Sequence, residues 1–153
     1  FTQAPTLLRL RELFASQAWL RFTAALAGAI DRQLWWEEQG LTHFGVGDFI
    51  APHSDDSPAR LVAFVLYLGP EFNETFASGG ELVWCPSGQR VHAASNTLLV
   101  FRVDPMAPSE HMVLPPQSEF ERIAFTGWLA SRDGSYTARW HQGGPTPPRQ
   151  TDL

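Results

Sequence analysis

The stretch GDFIAPHSDDSPARLVAFVLYL, Gly47–Leu68, sets three polar side chains against a long apolar run. Leu61–Leu68 is continuous, apolar and rich in strand-forming residues. It is far short of the roughly 18 residues a membrane span needs, and it suits a strand buried on both faces. Just before it stand His53, Asp55 and Asp56. Asp and Ser often serve turns alone, so a turn is the plain explanation for SDDSP. In an extended chain, however, His53 and Asp55 project to one face and Asp56 to the other. An imidazole nitrogen and a carboxylate oxygen on one face can both reach a single divalent cation.

Outward from this stretch the periodicity changes twice. Pro5 stands where a first-turn proline belongs, and Leu7, Leu8, Leu10, Leu13 and Phe14 give a helix an apolar face. Ser16 is placed to cap a second helix, whose stripe of Trp19, Leu20, Phe22, Leu26 and Ile30 is expected in the core. From Leu34 the pattern becomes strand-like, with candidate strands over 34–37, 42–45, 47–52, 61–68, 81–84, 90–92, 97–102, 110–114 and 121–130. Short strands at such spacing predict a mainly β, α+β protein with a jelly-roll core and two N-terminal helices. Gly79-Gly80 offers positive-φ positions for a turn before Glu81. A single domain is expected, with helices over 1–33, the jelly roll over 34–132 and an aperiodic tail over 133–153.

Composition narrows the function. Acidic residues outnumber basic ones 16 to 11, for a formal charge of -5, which argues against nucleic acid as a partner. All the basic residues are arginine, so lysine nucleophiles and Schiff bases are excluded. The lone Cys85 cannot form an intrachain disulfide and suits a reducing, cytoplasmic setting. Neither a membrane span nor a strongly basic amphipathic helix is evident. A chain opening on Phe1 rather than Met reads as trimmed, which gives the lack of a targeting signal little weight.

A histidine two residues before an aspartate arises by chance in many chains, so the site needs a third member. The histidines are His43, His53, His92, His111 and His141. His111 opens the expected strand HMVLP and is the best placed, with His92 as the alternative. Two histidines and a carboxylate on one side of a metal leave the opposite positions open, the facial arrangement of non-haem Fe(II) oxygenases. Eleven residues after His111, Arg122 opens RIAFTGWL, whose alternation puts Arg122, Ala124, Thr126 and Trp128 on one face. An arginine buried alone is costly, whereas one meeting a carboxylate can hold it with two hydrogen bonds. The plain alternative is a salt bridge to Glu81 or Asp55.

The ordered blocks FxxGDFIAPHSD, RLVAFVLYL, GGELVW, NTLLVFRVDPMAPSEHMV and RIAFTGWL, from about Phe44 to Leu129, resemble the prolyl-hydroxylase-like Fe(II)/2-oxoglutarate dioxygenases. The likeness is strongest to the ribosomal prolyl-3-hydroxylase branch and its bacterial relatives. The resemblance implies a double-stranded β-helix with Fe(II) on His53, Asp55 and His111. It implies that Arg122, helped by the Tyr67 hydroxyl, binds the distal carboxylate of 2-oxoglutarate. Two positions depart from the pattern: Phe44 stands where many relatives carry tyrosine, and Ala124 where serine is frequent. Thr126, on the same face, is the residue that can compensate. The implied activity is hydroxylation of an unactivated C–H bond of a prolyl residue in a peptide or protein, with O2 consumed and 2-oxoglutarate converted to succinate and CO2. Ascorbate is left open as an ancillary reductant.

Other readings stay in view. The same chemistry would serve a hydroxylase of a free amino acid or small natural product. A radical halogenase would lack the carboxylate ligand, and Asp55 argues against it. A non-catalytic jelly-roll binding module would have no use for His53, Asp55, His111 and Arg122 together. Asp56 is expected in a turn, as is Asn96; Arg60 is expected either at substrate or in an ion pair; 69–79 is a candidate lid. Trp84, Phe101 and Trp128 either line a pocket or fill the barrel. No GxSxG, Walker loop or paired CxxC supports another enzyme class.

Overall fold

The computed structural model describes residues 5–30, 33–57, 59–69, 79–103, 110–117 and 121–131. The tail over 133–153, most of the candidate lid (70–78) and His141 lie outside them.

Among the described residues two helices, α1 (Pro5–Ala15) and α2 (Gln17–Leu26), precede eight strands. The Ser16 hydroxyl accepts from the Trp19 backbone N–H at 3.2 Å and so caps α2. The strands are β1 (Leu34–Phe44), β2 (Ile50–His53), β3 (Arg60–Tyr67), β4 (Leu82–Trp84), β5 (Arg90–Val91), β6 (Thr97–Arg102), β7 (His111–Val113) and β8 (Arg122–Ser131). They form two antiparallel four-stranded sheets, in the orders β1-β8-β3-β6 and β2-β7-β4-β5. This is the double-stranded β-helix.

Three expectations are corrected. The segments 34–37 and 42–45 are one strand, because β1 pairs with β8 along its whole length, through Gly40 opposite Thr126. The strand expected over 47–52 begins only at Ile50, since Gly47 has φ 88° and sits in a turn. The α2 stripe is only partly core: Trp19, Thr23, Ala24 and Ala27 are buried, while Phe22 and Ile30 are 50% and 76% exposed. Thr23, Ala24 and Ala27 fill the buried face beside Trp19, which leaves Phe22, Leu26 and Ile30 outside it. Gly79 and Gly80 do take positive φ, 69° and 73°, and a Cβ on Gly79 would collide with the Pro115 carbonyl.

Antiparallel partners share a face, so register sorts the large sheet into an inside and an outside. On the helix side lie Leu129 with Val62 and Phe125 with Leu66, and the rings of Phe14, Trp19, Phe64 and Phe125 pack together there. Phe14 stacks on Phe64 at 4.5 Å between centroids, and Trp19 meets Phe14 edge-on at 4.7 Å. Gly127 makes room for this cluster, since a Cβ there would press on the Phe64 ring at 2.8 Å. Removing the shared ring, Phe64→Ala, should cost about 3–5 kcal/mol of stability. Urea denaturation of the variant checks this, and an unchanged midpoint would relocate the core.

The other face lines the barrel interior in three rows: Trp128, Ala63 and Phe101; then Thr126, Val65 and Leu99; then Ala124, Tyr67 and Thr97. Beyond the last row, Arg122 stands opposite Phe44. The alternation expected for RIAFTGWL is therefore the one observed.

Candidate functional site

Strand pairing assembles the first pole of the site. β2 and β7 pair so that His53 lies directly opposite His111, with ring centroids 4.4 Å apart. Asp55 is not on a strand, as its spacing from His53 suggested. β2 ends at His53, and the chain after it folds back to bring the carboxylate between the two rings. Asp55 Oδ1 is 3.7 Å from His53 Nε2, and Oδ2 is 3.6 Å from His111 Nε2. One donor atom from each residue lies within 4.8 Å of the others. A cation bonded at about 2.1 Å wants neighbouring donors about 3.0–3.4 Å apart, so the two carboxylate–imidazole distances need to contract by only a few tenths of an ångström.

The donor chemistry fits such an ion. His53 Nδ1 lies 2.9 Å from the Ala51 carbonyl oxygen, which assigns the proton to Nδ1 and leaves the Nε2 lone pair for a metal. The Asp55 and His111 side chains are only 8% and 5% exposed. A carboxylate held this far from water between two imidazoles calls for a positive partner. Trp84 and Phe101 pack on His111, with centroids at 5.1 and 5.4 Å, and give the pole an apolar wall. Ser54 donates its hydroxyl hydrogen to the Asp56 carboxylate, so Asp56 serves the turn.

The second pole is Arg122. It is buried, with its guanidinium carbon 5.0 Å from the Phe44 ring and 5.2 Å from the Tyr67 ring. Neither suggested salt bridge forms: Asp55 faces the two histidines, and Glu81 lies 3.9 Å from His92. Burial lowers the Arg122 pKa from its ordinary value and raises that of the Tyr67 phenol; their mutual attraction offsets part of each shift. The guanidinium nonetheless stays a cation. Among the described residues the Tyr67 hydroxyl and Arg122 Nε are buried without a hydrogen-bond partner. A buried cation beside an orphaned hydroxyl is a site built for an anion.

Thr126 faces the same interior one row nearer the metal pole. Thr97 shares the row of Tyr67 and is missing from the residues singled out by sequence, although the alternation Thr97, Leu99, Phe101 in TLLVF carries that signal. His92 is not part of the cluster, and His43 pairs at the surface with Glu121 at 3.5 Å. Asn96 has φ 58° and forms a turn, as its residue type suggests. Arg60 is in an ion pair, bonding Glu37 at 3.0 Å and Glu38 at 3.4 Å. Cys85 is half-buried and joins no group of ligand residues; among the described residues His53, Asp55 and His111 form the one such group. No helix among the described residues is long and apolar enough to cross a membrane.

Comparison with known proteins supplies the context. The family model described as the 2OG-Fe(II) oxygenase superfamily matches residues 39–130, more than half the chain. No curated protein matches the sequence. An oxidoreductase of the 2OG-Fe(II) oxygenase family from Burkholderia pseudomallei superposes with a TM-score of 0.65 at 20% identity, over 80% of this chain and 56% of its own. A prolyl 4-hydroxylase from Phytophthora capsici gives 0.62 at 25% identity, over 94% and 48% respectively. A Pseudomonas putida prolyl-4-hydroxylase gives 0.54 at 25%, over 81% and 74%. The chain thus spans about half the length of the first two of these proteins.

Proposed function

The chain belongs to the 2OG-Fe(II) oxygenase superfamily, and from that premise we propose that it is an Fe(II)- and 2-oxoglutarate-dependent dioxygenase acting on a prolyl residue of a peptide or protein. The observation that carries this reading is the presence of both poles in one barrel, a three-donor cation site and a buried arginine whose Nε has no hydrogen-bond partner among the described residues. In this reading His53, Asp55 and His111 hold Fe(II) on one side. Arg122 and Tyr67 hold the distal carboxylate of 2-oxoglutarate, and Thr126 donates to the cosubstrate between them. Bound there, Fe(II) and 2-oxoglutarate supply the oxidising chemistry, consuming O2 and releasing succinate and CO2 as the substrate gains an oxygen.

The chain's own residues do the rest. The Ala51 carbonyl keeps the proton of His53 on Nδ1, and the Asp55 carboxylate offsets the metal's charge. Trp84 and Phe101 keep water from the metal's protein side.

The prolyl part rests on the resemblance of the sequence blocks and on two 25%-identical structures named as prolyl 4-hydroxylases. The ribosomal prolyl-3-hydroxylase branch is its narrower form. A free amino acid or small natural product is the second substrate class to test. Ascorbate dependence, a cytoplasmic location and the division into helices (1–33), core (34–132) and tail (133–153) complete the proposal.

Anaerobic titration tests it. Fe(II) with 2-oxoglutarate should give a weak visible charge-transfer band that Fe(II) with succinate does not. A featureless spectrum would instead indicate a binding module. Mass spectrometry of proline-containing peptides and of free metabolites, searched for one added oxygen, separates the substrate classes.

A further inference from the structure

Of the three rows that line the barrel interior, the middle one lies between the two poles. The row of Trp128, Ala63 and Phe101 stands at the metal level, since Phe101 packs on His111. At the other end the Arg122 guanidinium reaches the Tyr67 ring, at 5.2 Å. A molecule that touches both poles must therefore pass the middle row. On β8, β3 and β6 that row carries Thr126, Val65 and Leu99. On β1 it carries Gly40, the cross-strand partner of Thr126.

Glycine in the middle of a long strand weakens it and so calls for a reason. Two reasons are met elsewhere in this chain. Gly79 has a φ of 69°, in the left-handed region. Gly127, on the neighbouring strand, is crowded: a Cβ there would lie 2.7 Å from the Glu38 carbonyl oxygen and 2.8 Å from the Phe64 ring. Gly40 shares neither constraint. Its φ is outside the left-handed region, and a Cβ on it would meet nothing among the described residues within 4 Å. Nor does it sit at a bulge, because Gln39 and Leu41 pair in register with Gly127 and Phe125 on either side of it. The close approach of a ligand is the reason that remains.

The space beside Gly40 has defined edges. Thr126 flanks it on β8, and one row on the Thr42 hydroxyl is fixed by donating to the Ala124 carbonyl at 3.2 Å. Val65 and Leu99 make the rest of the row apolar. No ionisable side chain stands in this row, so the space offers room without charge. It suits a small apolar group rather than a second anion.

We propose that Gly40 is a specificity-determining position for the cosubstrate: it opens a side bay beside the middle of the bound 2-oxo diacid, so that the protein accepts 2-oxoglutarate carrying a methyl group on its chain. The inference rests on the dioxygenase reading, but its test needs no turnover. Mn(II)-loaded protein is titrated by calorimetry with 2-oxoglutarate and with its 3-methyl and 4-methyl derivatives. In the wild type at least one derivative should bind within about threefold of the parent compound. Gly40→Val fills the bay with a residue that suits a strand. The accepted derivative should then weaken by about tenfold or more, the scale of one methyl group that no longer fits an apolar pocket. The parent compound should stay within about threefold of its wild-type affinity.

Gly40→Ala separates the bay from a structural role. It adds only the Cβ whose place is open, so it should melt at or above the wild-type temperature. A lowered midpoint in Gly40→Ala would make the glycine structural and overturn the proposal. An equal loss of parent and derivative in Gly40→Val would overturn it too, as would a derivative whose affinity that variant leaves unchanged. A wild type that binds 2-oxoglutarate but refuses both derivatives defeats the side bay alone. One that binds no 2-oxoglutarate defeats the dioxygenase reading, and the bay falls with it.

Discussion

Asp55→Ala abolishes 2-oxoglutarate-dependent oxygenation and weakens divalent-metal binding by about a hundredfold or more, the scale of losing one partner from a buried charged set. Its carboxylate supplies the site's anion and touches both histidines, at 3.7 and 3.6 Å. Without it two neutral imidazoles remain, and the metal's charge is no longer offset. Asp56→Ala, one residue away, keeps most of the activity, because that carboxylate is engaged with the Ser54 hydroxyl in the turn. Mn(II) titration by calorimetry and succinate production measure the two effects separately. Equal losses in the two variants would mean that both aspartates serve the metal, and the assignment of Asp55 alone would fall.

Asp55 also shows how far a sequence pattern reaches. Alternation about His53 selects the aspartate whose carboxylate does face both histidines, yet the strand it assumes ends at His53. The carboxylate reaches the histidines through a loop whose path no periodicity encodes. For RIAFTGWL the same rule works on its own terms, because β8 is paired with β3 from Ala124 and with β1 from Arg122 onward, which fixes its alternation. The pairing of β1 along its length is invisible for the opposite reason. Gly40 and the charged Glu37-Glu38 look like a break in the sequence, and only the neighbour strand makes them continuous. Arg60 is the clearest case of this kind. Its two possible roles can be stated from sequence, but its partners depend on two bulges, and a bulge is a property of paired strands rather than of either strand alone. On α2, the expected core stripe holds for Trp19 and Leu20 only, since Thr23, Ala24 and Ala27 take the rest of the buried face.

Arg122→Leu raises the 2-oxoglutarate requirement by about tenfold or more while leaving metal affinity nearly unchanged. A hydrogen bond to a charged group contributes about 1.5–3 kcal/mol, and a guanidinium can make two to one carboxylate. The position is unusually demanding. Arg122 is 3% exposed, its Nε has no hydrogen-bond partner among the described residues, and burial already lowers its pKa. An arriving carboxylate relieves that burial, whereas leucine offers the carboxylate only an apolar pocket. Tyr67→Phe should cost less, since it removes one neutral donor and leaves the cation in place. Phe44, 5.0 Å from the guanidinium, already contributes a ring without a hydroxyl. The two poles can be told apart by measurement, because the candidate metal ligands lie on β2, the loop after it and β7, and the arginine on β8 of the other sheet. Succinate formation titrated against 2-oxoglutarate gives the half-saturation point for each variant, and Mn(II) calorimetry reads the metal site. If Arg122→Leu left the half-saturation unchanged, the arginine would be structural, and the cosubstrate's distal carboxylate would have to be held elsewhere. If metal binding fell with it, the poles would be one coupled unit rather than two sites facing each other across a barrel.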